Sequence, residues 1–168
     1  MVPPLNRAIE WTEAGGGAVY ASRDWHVADA SHFKAYGGIW PVHCVQQTAG
    51  AQFHPALRLP SDATVVTKGD SPDSDGYSAF EGHTQTGASL VHDLREKDIH
   101  HVYVGGLATD YCVRHSVLDA LKTGLEVTVL TDAIAGVDVN PGDSARAIEE
   151  MRAAGAKFAT TEEVVSSE

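Results

Sequence analysis

The sequence predicts a doubly wound α/β fold, that is, a mostly parallel sheet with helices on both faces. Short segments rich in β-branched residues alternate along the chain with amphipathic segments of helical period, and glycines follow several of these segments. Strands and helices that alternate in this way form a parallel sheet with right-handed crossovers. With 168 residues, 43% of them hydrophobic, the chain is expected to form a single domain, residues 1–168.

The elements are assigned from apolar periodicity and from the positions of glycine and proline. Four helices are predicted, at residues 3–14, 87–97, 110–123 and 143–154. Five strands are predicted, at residues 18–22, 64–67, 101–104, 126–131 and 157–159. Ligands of such sheets bind at the carboxyl ends of the strands, so we expect the site there. Residues 23–63 form an irregular stretch too long for a simple connection, which indicates a functional loop.

The charge balance excludes several classes of partner. Lys and Arg number 12 against 23 Asp and Glu, which gives a formal net charge of −11. Such a chain repels phosphate backbones and anionic lipid, so neither nucleic acid nor membrane is expected as a partner. No apolar run reaches the roughly 18 residues of a membrane span, and two cysteines provide no disulfide framework. We therefore expect a soluble, cytoplasmic protein, either a monomer or a homo-oligomer.

The long loop carries a group of candidate metal ligands. Asp24 and His26 follow the first strand and point to the same side if the chain is extended there. His32 and His43 lie further along the same loop. A carboxylate with two or three imidazoles suits zinc, iron or manganese. The alternative is that these histidines only form hydrogen bonds within the loop, and their spacing leaves both interpretations open.

Cys112 and Lys68 are the candidate catalytic side chains. Cys112 follows a strand and two glycines and lies in the first turn of a predicted helix, where the helix dipole and free backbone N–H groups stabilise a thiolate. Lys68 lies at the carboxyl end of the second strand, where it could act as an acid or bind an anion. The alternatives are a small buried cysteine that packs the helix on the sheet, and a solvated lysine.

Six short motifs occur in order along the chain. They are RDWH at 23–26, WPVHC at 40–44, FHP at 53–55, KG at 68–69, YSAFEG at 77–82 and GLATDYCV at 106–113. Together they resemble the nicotinamidase/pyrazinamidase family of the isochorismatase-like cysteine hydrolases. The Asp-x-His pair and the Trp-Pro-x-His segment distinguish this family from the isochorismatase and carbamoyl-hydrolase branches, which lack the metal ligands.

The resemblance implies hydrolysis of nicotinamide to nicotinate and ammonia, with pyrazinamide as a second substrate. It implies that Cys112 attacks the carboxamide carbon and forms a thioester that water cleaves, with Lys68 as a second catalytic residue. The backbone N–H groups of Ala108 and Cys112 would form the oxyanion hole, beside a cis peptide between Leu107 and Ala108.

The resemblance also implies one divalent metal ion, with zinc expected first and iron or manganese as alternatives. Asp24, His26 and His43 match the family's metal ligands, and His32 falls where some members have a fourth. The metal would hold the ring nitrogen of the substrate. Trp40 and Tyr77 match aromatic residues that form the walls around the pyridine ring.

One feature of the family has no counterpart in this sequence. Members carry a catalytic aspartate on an opening strand, which is central in the sheet between the strands that correspond here to residues 18–22 and 101–104. The expected fold is therefore the doubly wound sheet with its first strand missing, and we expect the given sequence to be a truncated form or to start too far downstream. The alternative to an active nicotinamidase is a non-catalytic member that binds a metal and a small heteroaromatic ligand.

Overall fold

Strands and helices alternate throughout the part of the chain described by the computed structural model, residues 1–167. The elements in chain order are α1 (Val2–Ala14), β1 (Tyr20–Asp24), β2 (Thr64–Lys68), β3 (His83–Thr84), α2 (Leu90–Glu96), β4 (His101–Leu107), α3 (Arg114–Lys122), β5 (Glu126–Ala135), α4 (Asp143–Ala153), β6 (Lys157–Ala159) and α5 (Thr161–Val165). A π-helical turn, Thr109–Val113, precedes α3. The α/β class predicted from the sequence is confirmed.

All nine predicted elements are present, with shifted ends, and two short ones were not predicted. β3 has only two residues, too few for an alternating pattern to be visible. α5 has five residues and begins at a capping box formed by Thr160 and Glu163, a signal that is present in the sequence. β4 and β5 run beyond their predicted ends because their parallel pairing resumes after an irregularity between Val104 and Gly106.

The strands form two three-stranded sheets instead of one continuous sheet. One has the order β1-β2-β3, in which β1 and β2 are parallel and β3 is antiparallel to β2. The other has the order β4-β5-β6 and is parallel throughout. β1 and β4 are therefore both edge strands within residues 1–167, as expected for a doubly wound sheet whose first strand is missing between them.

A cleft separates the facing edges of β1 and β4. Two cavities of about 420 Å³ each open along it, and residues of both strands line both cavities. Leu5 and Ile9 of α1 line the first cavity, whereas Leu90 and Leu94 of α2 line the second. The cleft is thus bounded by helices on two sides and by open strand edges on the other two. This split agrees with the expectation that no strand lies between β1 and β4.

The helices pack around the second sheet in two pairs. α1 and α5 contact each other and β5, while α3 contacts α4 and β5. The main apolar core lies here, with Val117, Val129 and Met151 fully buried. A smaller core around Val66 supports the first sheet. In residues 1–167 every helix is too short or too polar to span a bilayer.

Candidate active site

Lys68 ends β2 and lies inside the protein, with only 3% of its surface exposed. Its Nζ donates hydrogen bonds to the Asp24 carboxylate and to the carbonyl oxygen of Gly76, 2.6 Å away. Burial opposes the charge on Lys68, but the neighbouring Cys112 and Asp24 outweigh burial and raise the pKa of the amine. Lys68 is therefore a buried cation with fixed partners, and the alternative of a solvated lysine is wrong.

Cys112 lies 3.3 Å from Lys68 Nζ, measured at its Sγ. The peptide between Leu107 and Ala108 is cis, as expected, and the chain then enters the π-helical turn that carries Cys112. Burial raises the pKa of the Cys112 thiol. This effect outweighs the Lys68 charge and the hydrogen bond with the Ala108 backbone, both of which lower the pKa. The thiol is thus protonated at neutral pH, and its activation requires a proton acceptor.

The contact between Lys68 and Cys112 also shows which ends of the two sheets lie together. β1 and β2 end at Asp24 and Lys68, and β4 ends five residues before Cys112. Because the three side chains form one connected group, the carboxyl ends of both sheets meet at the same place. The site lies at the carboxyl ends of the strands, where the sequence predicted it.

Three histidines of the long loop form a compact group. His26, His32 and His43 each offer one ring nitrogen, and these nitrogens lie within 4.8 Å of one another. His26 and His32 are buried, at 1% and 6% exposure. Burial lowers the pKa of both rings, and the neighbouring histidines lower it further, so both are neutral near pH 7. Neutral imidazole is the form that binds a metal ion.

The ring nitrogens that face away from the group are held by the backbone. His26 Nδ1 donates to the carbonyl of Gly69 and His43 Nδ1 donates to the carbonyl of Pro41, each at 2.8 Å, since a carbonyl can only accept. Their Nε2 atoms therefore remain available to bind a metal ion. Gly69 is needed for the first contact, because its φ is +64° and a Cβ there would collide with the His26 ring.

His32 provides the test of whether the group fits a metal. Its Nε2 is buried and has no hydrogen-bond partner among the described residues. An unpaired buried polar atom costs about 1–3 kcal/mol, and a metal ion would satisfy it. Three converging neutral imidazoles leave coordination positions open, which suits a divalent ion. The residues present therefore fit the predicted metal site.

Asp24 lies outside this group. Its carboxylate is bound by Lys68, and it is not one of the three residues whose ligand atoms converge. His32, which the resemblance gave only as a possible fourth ligand, is the third member of the histidine group. The role of Asp24 as a metal ligand stays a prediction, and its observed contact makes it a partner of the lysine.

An aromatic wall lies between the histidines and the cysteine. Trp40 Nε1 donates to Tyr77 Oη at 2.8 Å, so the two predicted wall residues form one unit. Trp40 also contacts His43, with ring centroids 5.9 Å apart. Tyr111, which precedes Cys112, packs edge-on against Trp40 at 4.7 Å and lies 5.6 Å from Tyr77. The wall therefore extends from the candidate metal ligands to the nucleophile.

Tyr111 and its neighbour on α3, His115, were not predicted from the sequence. Both carry aromatic rings four residues apart, a spacing at which helical side chains lie close together. That spacing, directly beside the candidate nucleophile, is the signal that could have identified them.

The chain matches a known protein family over nearly its whole length. The isochorismatase domain family covers residues 1–163 of this chain. The chain belongs to this family. The fold described above is the isochorismatase-like fold.

Several similar proteins have names that are more specific than that of the family. The nicotinamidase of Escherichia coli is 43% identical over 95% of this chain and 82% of its own length. The nicotinamidase/pyrazinamidase of Mycobacterium tuberculosis is 40% identical over 81% of this chain and 73% of its own. The crystal structure of the pyrazinamidase of Pyrococcus horikoshii in complex with zinc superposes with a TM-score of 0.85 and 43% identity, over 95% of this chain and 84% of that one. These matches confirm the predicted resemblance and favour a hydrolase over a non-catalytic binding protein.

Proposed function

We propose that this chain is a nicotinamidase, a metal-dependent cysteine amidohydrolase that converts nicotinamide to nicotinate and ammonia. The observation that carries the proposal is the 3.3 Å contact between Lys68 Nζ and Cys112 Sγ beside a group of three histidines. The names of the relatives from Escherichia coli and Mycobacterium tuberculosis support the substrate, and pyrazinamide is proposed as a second one.

The reaction begins when the thiol proton of Cys112 passes to Lys68 Nζ while Lys68 passes one of its own protons to the Asp24 carboxylate, so that a thiolate forms beside a lysine that is still a cation. The thiolate then attacks the carboxamide carbon, and the developing oxyanion lies at the backbone N–H groups of Ala108 and Cys112. Lys68, a buried cation next to the sulfur, donates a proton to the amide nitrogen, which leaves as ammonia, and Lys68 regains a proton from Asp24. Water cleaves the resulting thioester and releases nicotinate and the free thiol.

The aromatic wall and the histidines orient the substrate. Trp40 and Tyr77 hold the flat pyridine ring by stacking, and their mutual hydrogen bond keeps the two rings in one position. His26, His32 and His43 would hold a divalent metal, which supplies a Lewis acid that the ring nitrogen of the substrate can bind. We propose zinc, because the similar pyrazinamidase of Pyrococcus horikoshii was crystallised in complex with zinc.

Ammonia release from nicotinamide tests the proposal directly. We expect the purified, metal-loaded chain to hydrolyse nicotinamide and to act on benzamide at least about 10²-fold more slowly in kcat/KM, because benzamide lacks the ring nitrogen and leaves the metal-facing side of the site unpaired. Equal rates on both amides would contradict the proposed role of the metal. No release from either amide would reject the proposed activity.

Removal of one histidine tests the metal site without reference to activity. We expect His43→Ala to lower metal affinity by more than about 100-fold, beyond the 10- to 100-fold typical of residues that only support a ligand. Metal content after dialysis, measured by mass spectrometry, is the readout. His92→Ala is the control, because His92 is exposed on α2 and pairs with Glu96. Full metal content in His43→Ala would show that the three histidines are not the ligands.

A further inference from the structure

His115 contacts two parts of the site at the same time, the aromatic wall and the backbone beside Cys112. It is the second residue of α3, and its ring stacks on Tyr77 with centroids 5.1 Å apart and planes inclined by 25°. Its Nδ1 lies 2.9 Å from the carbonyl oxygen of Tyr111. Because a carbonyl only accepts, Nδ1 carries the hydrogen and donates it.

The two contacts of His115 end at functionally different places. Tyr77 accepts the hydrogen bond from Trp40 and so belongs to the aromatic wall. The Tyr111 carbonyl belongs to the peptide that leads directly into Cys112, inside the π-helical turn. One imidazole therefore contacts the wall through its face and the nucleophile's own backbone through its edge.

The wall needs such support because no regular element carries it. Trp40 lies in the irregular stretch between β1 and β2, and Tyr77 lies in the loop between β2 and β3. α3 is the rigid element next to this loop, and it holds the loop a second time through Ser116, whose Oγ accepts a hydrogen bond from the Ala79 N–H at 2.9 Å. Other residues of α3, Val117 and Ala120, pack against the core and are almost fully buried. His115 is only half-buried and faces the site.

We propose that His115 is a positioning residue that sets the aromatic wall relative to the Cys112 sulfur. The proposal rests on the proposed amidohydrolase function of the same site. His115 acts through Tyr77 and through the Tyr111–Cys112 peptide and takes no part in bond making or breaking. Its two contacts predict two separable effects: the stack governs how well the ring of the substrate binds, and the hydrogen bond governs how well the sulfur is aimed.

Two substitutions separate the contacts. His115→Phe keeps an aromatic face for Tyr77 and removes the Nδ1–H donor, whereas His115→Gln keeps an N–H donor and removes the stacked ring. Loss of one hydrogen bond or one aromatic pair typically changes an equilibrium by about two- to tenfold. We expect His115→Gln to raise KM for nicotinamide about fivefold with kcat nearly unchanged. We expect His115→Phe to lower kcat about fivefold with KM nearly unchanged.

A binding measurement supports the kinetic split. In a Cys112→Ala background, in which turnover is removed, the affinity for nicotinamide measured by calorimetry falls about fivefold with His115→Gln and stays the same with His115→Phe. His92→Gln and His92→Phe are the matched controls and are expected to change neither parameter, since His92 is exposed on α2 and its ring pairs with Glu96. Ser116→Ala, which releases the second anchor of the same loop, is expected to raise KM in the way that His115→Gln does.

The outcomes are distinguishable from failure of the proposed function. If the unsubstituted chain releases no ammonia from nicotinamide, the proposed function is rejected first. If it is active and both His115 variants match it, or both change KM and kcat by the same factor together with a lower Tm, His115 is a packing residue and the proposal is overturned. If a His115 variant does not fold, Ser116→Ala tests whether α3 holds the aromatic wall in place. An unchanged KM for nicotinamide in Ser116→Ala would then overturn the proposal.

Discussion

We expect Cys112→Ala to abolish ammonia release from nicotinamide and to leave the bound metal unchanged. Removal of a covalent nucleophile lowers kcat on the order of 10⁶-fold in a well-studied serine hydrolase, and we expect at least about 10⁴-fold here. Metal content stays the same because Cys112 is separate from the group of His26, His32 and His43. The measurements are ammonia release and metal analysis on the same preparation.

The second cysteine provides the control for this substitution. Cys44 is half-buried in the loop after His43, and burial raises the pKa of its thiol. Cys44→Ala is expected to keep near-normal turnover. Retained turnover in Cys112→Ala would show that another group attacks the amide.

The same variants test how the thiol is activated. In Cys44→Ala, where Cys112 is the remaining thiol, the rate of alkylation by iodoacetamide follows the thiolate and rises with pH to values above the ordinary thiol pKa, because burial raises the pKa of Cys112. Lys68→Met moves that rise to still higher pH, since the Lys68 charge lowers the pKa of the thiol and is then gone.

Local patterns in the sequence predicted the parts of the site that local patterns control. Strand ends and glycine turns placed Lys68 and Cys112 at one edge of the sheet, and the structure joins them at 3.3 Å. The spacing of His26, His32 and His43 left both a metal site and a set of loop hydrogen bonds open; the family resemblance favoured the metal site, and the three residues converge. The rule that parallel strands end at a common edge was sufficient for the location of the site, whereas the roles of its residues came from the resemblance.

The remaining features depend on contacts between segments distant in sequence. Asp24 lies two residues before His26, so their spacing allowed a shared role as metal ligands. In the structure Lys68, 44 residues later in the sequence, binds the Asp24 carboxylate instead. The link between His115 and Tyr77 joins α3 to a loop 38 residues earlier. Residue spacing contains no information about which of several nearby partners a charge or a ring selects.

The division into two sheets was predicted only through the family resemblance. The apolar periodicity of a segment predicts that it forms a strand, but it does not predict which other strands it pairs with. The structure shows the consequence: the edges of β1 and β4 face a cleft instead of each other, and cavities of about 420 Å³ lie on either side of it. Met1 and Val2 line the first of these cavities, so the amino end of α1 opens onto the cleft.

An apolar strand joined to the amino end of the chain is expected to enter this cleft and stabilise the protein. Its side chains would alternate between the cavity lined by α1 and the cavity lined by α2, while its backbone pairs with both open edges. Burial of each apolar side chain contributes about 1.5–3 kcal/mol, against about 1–2 kcal/mol for ordering each residue. A net gain of about 3 kcal/mol raises Tm by about 6–12 °C in a chain of this size.

The design of that strand also tests the chemistry at its end. The carboxyl ends of β1, β2 and β4 meet at Lys68 and Cys112, so a parallel strand in the cleft ends at the same place. We compare a strand that ends in aspartate, one that ends in asparagine, and a Gly/Ser segment of equal length as the control. Both apolar strands should raise Tm, and the Gly/Ser segment should not. A rate increase of about 10²- to 10⁴-fold with the aspartate alone would show that general-base catalysis limits the reaction, whereas equal rates would assign that role to Asp24 and Lys68. An unchanged Tm with both apolar strands would show that the cleft does not accept a strand.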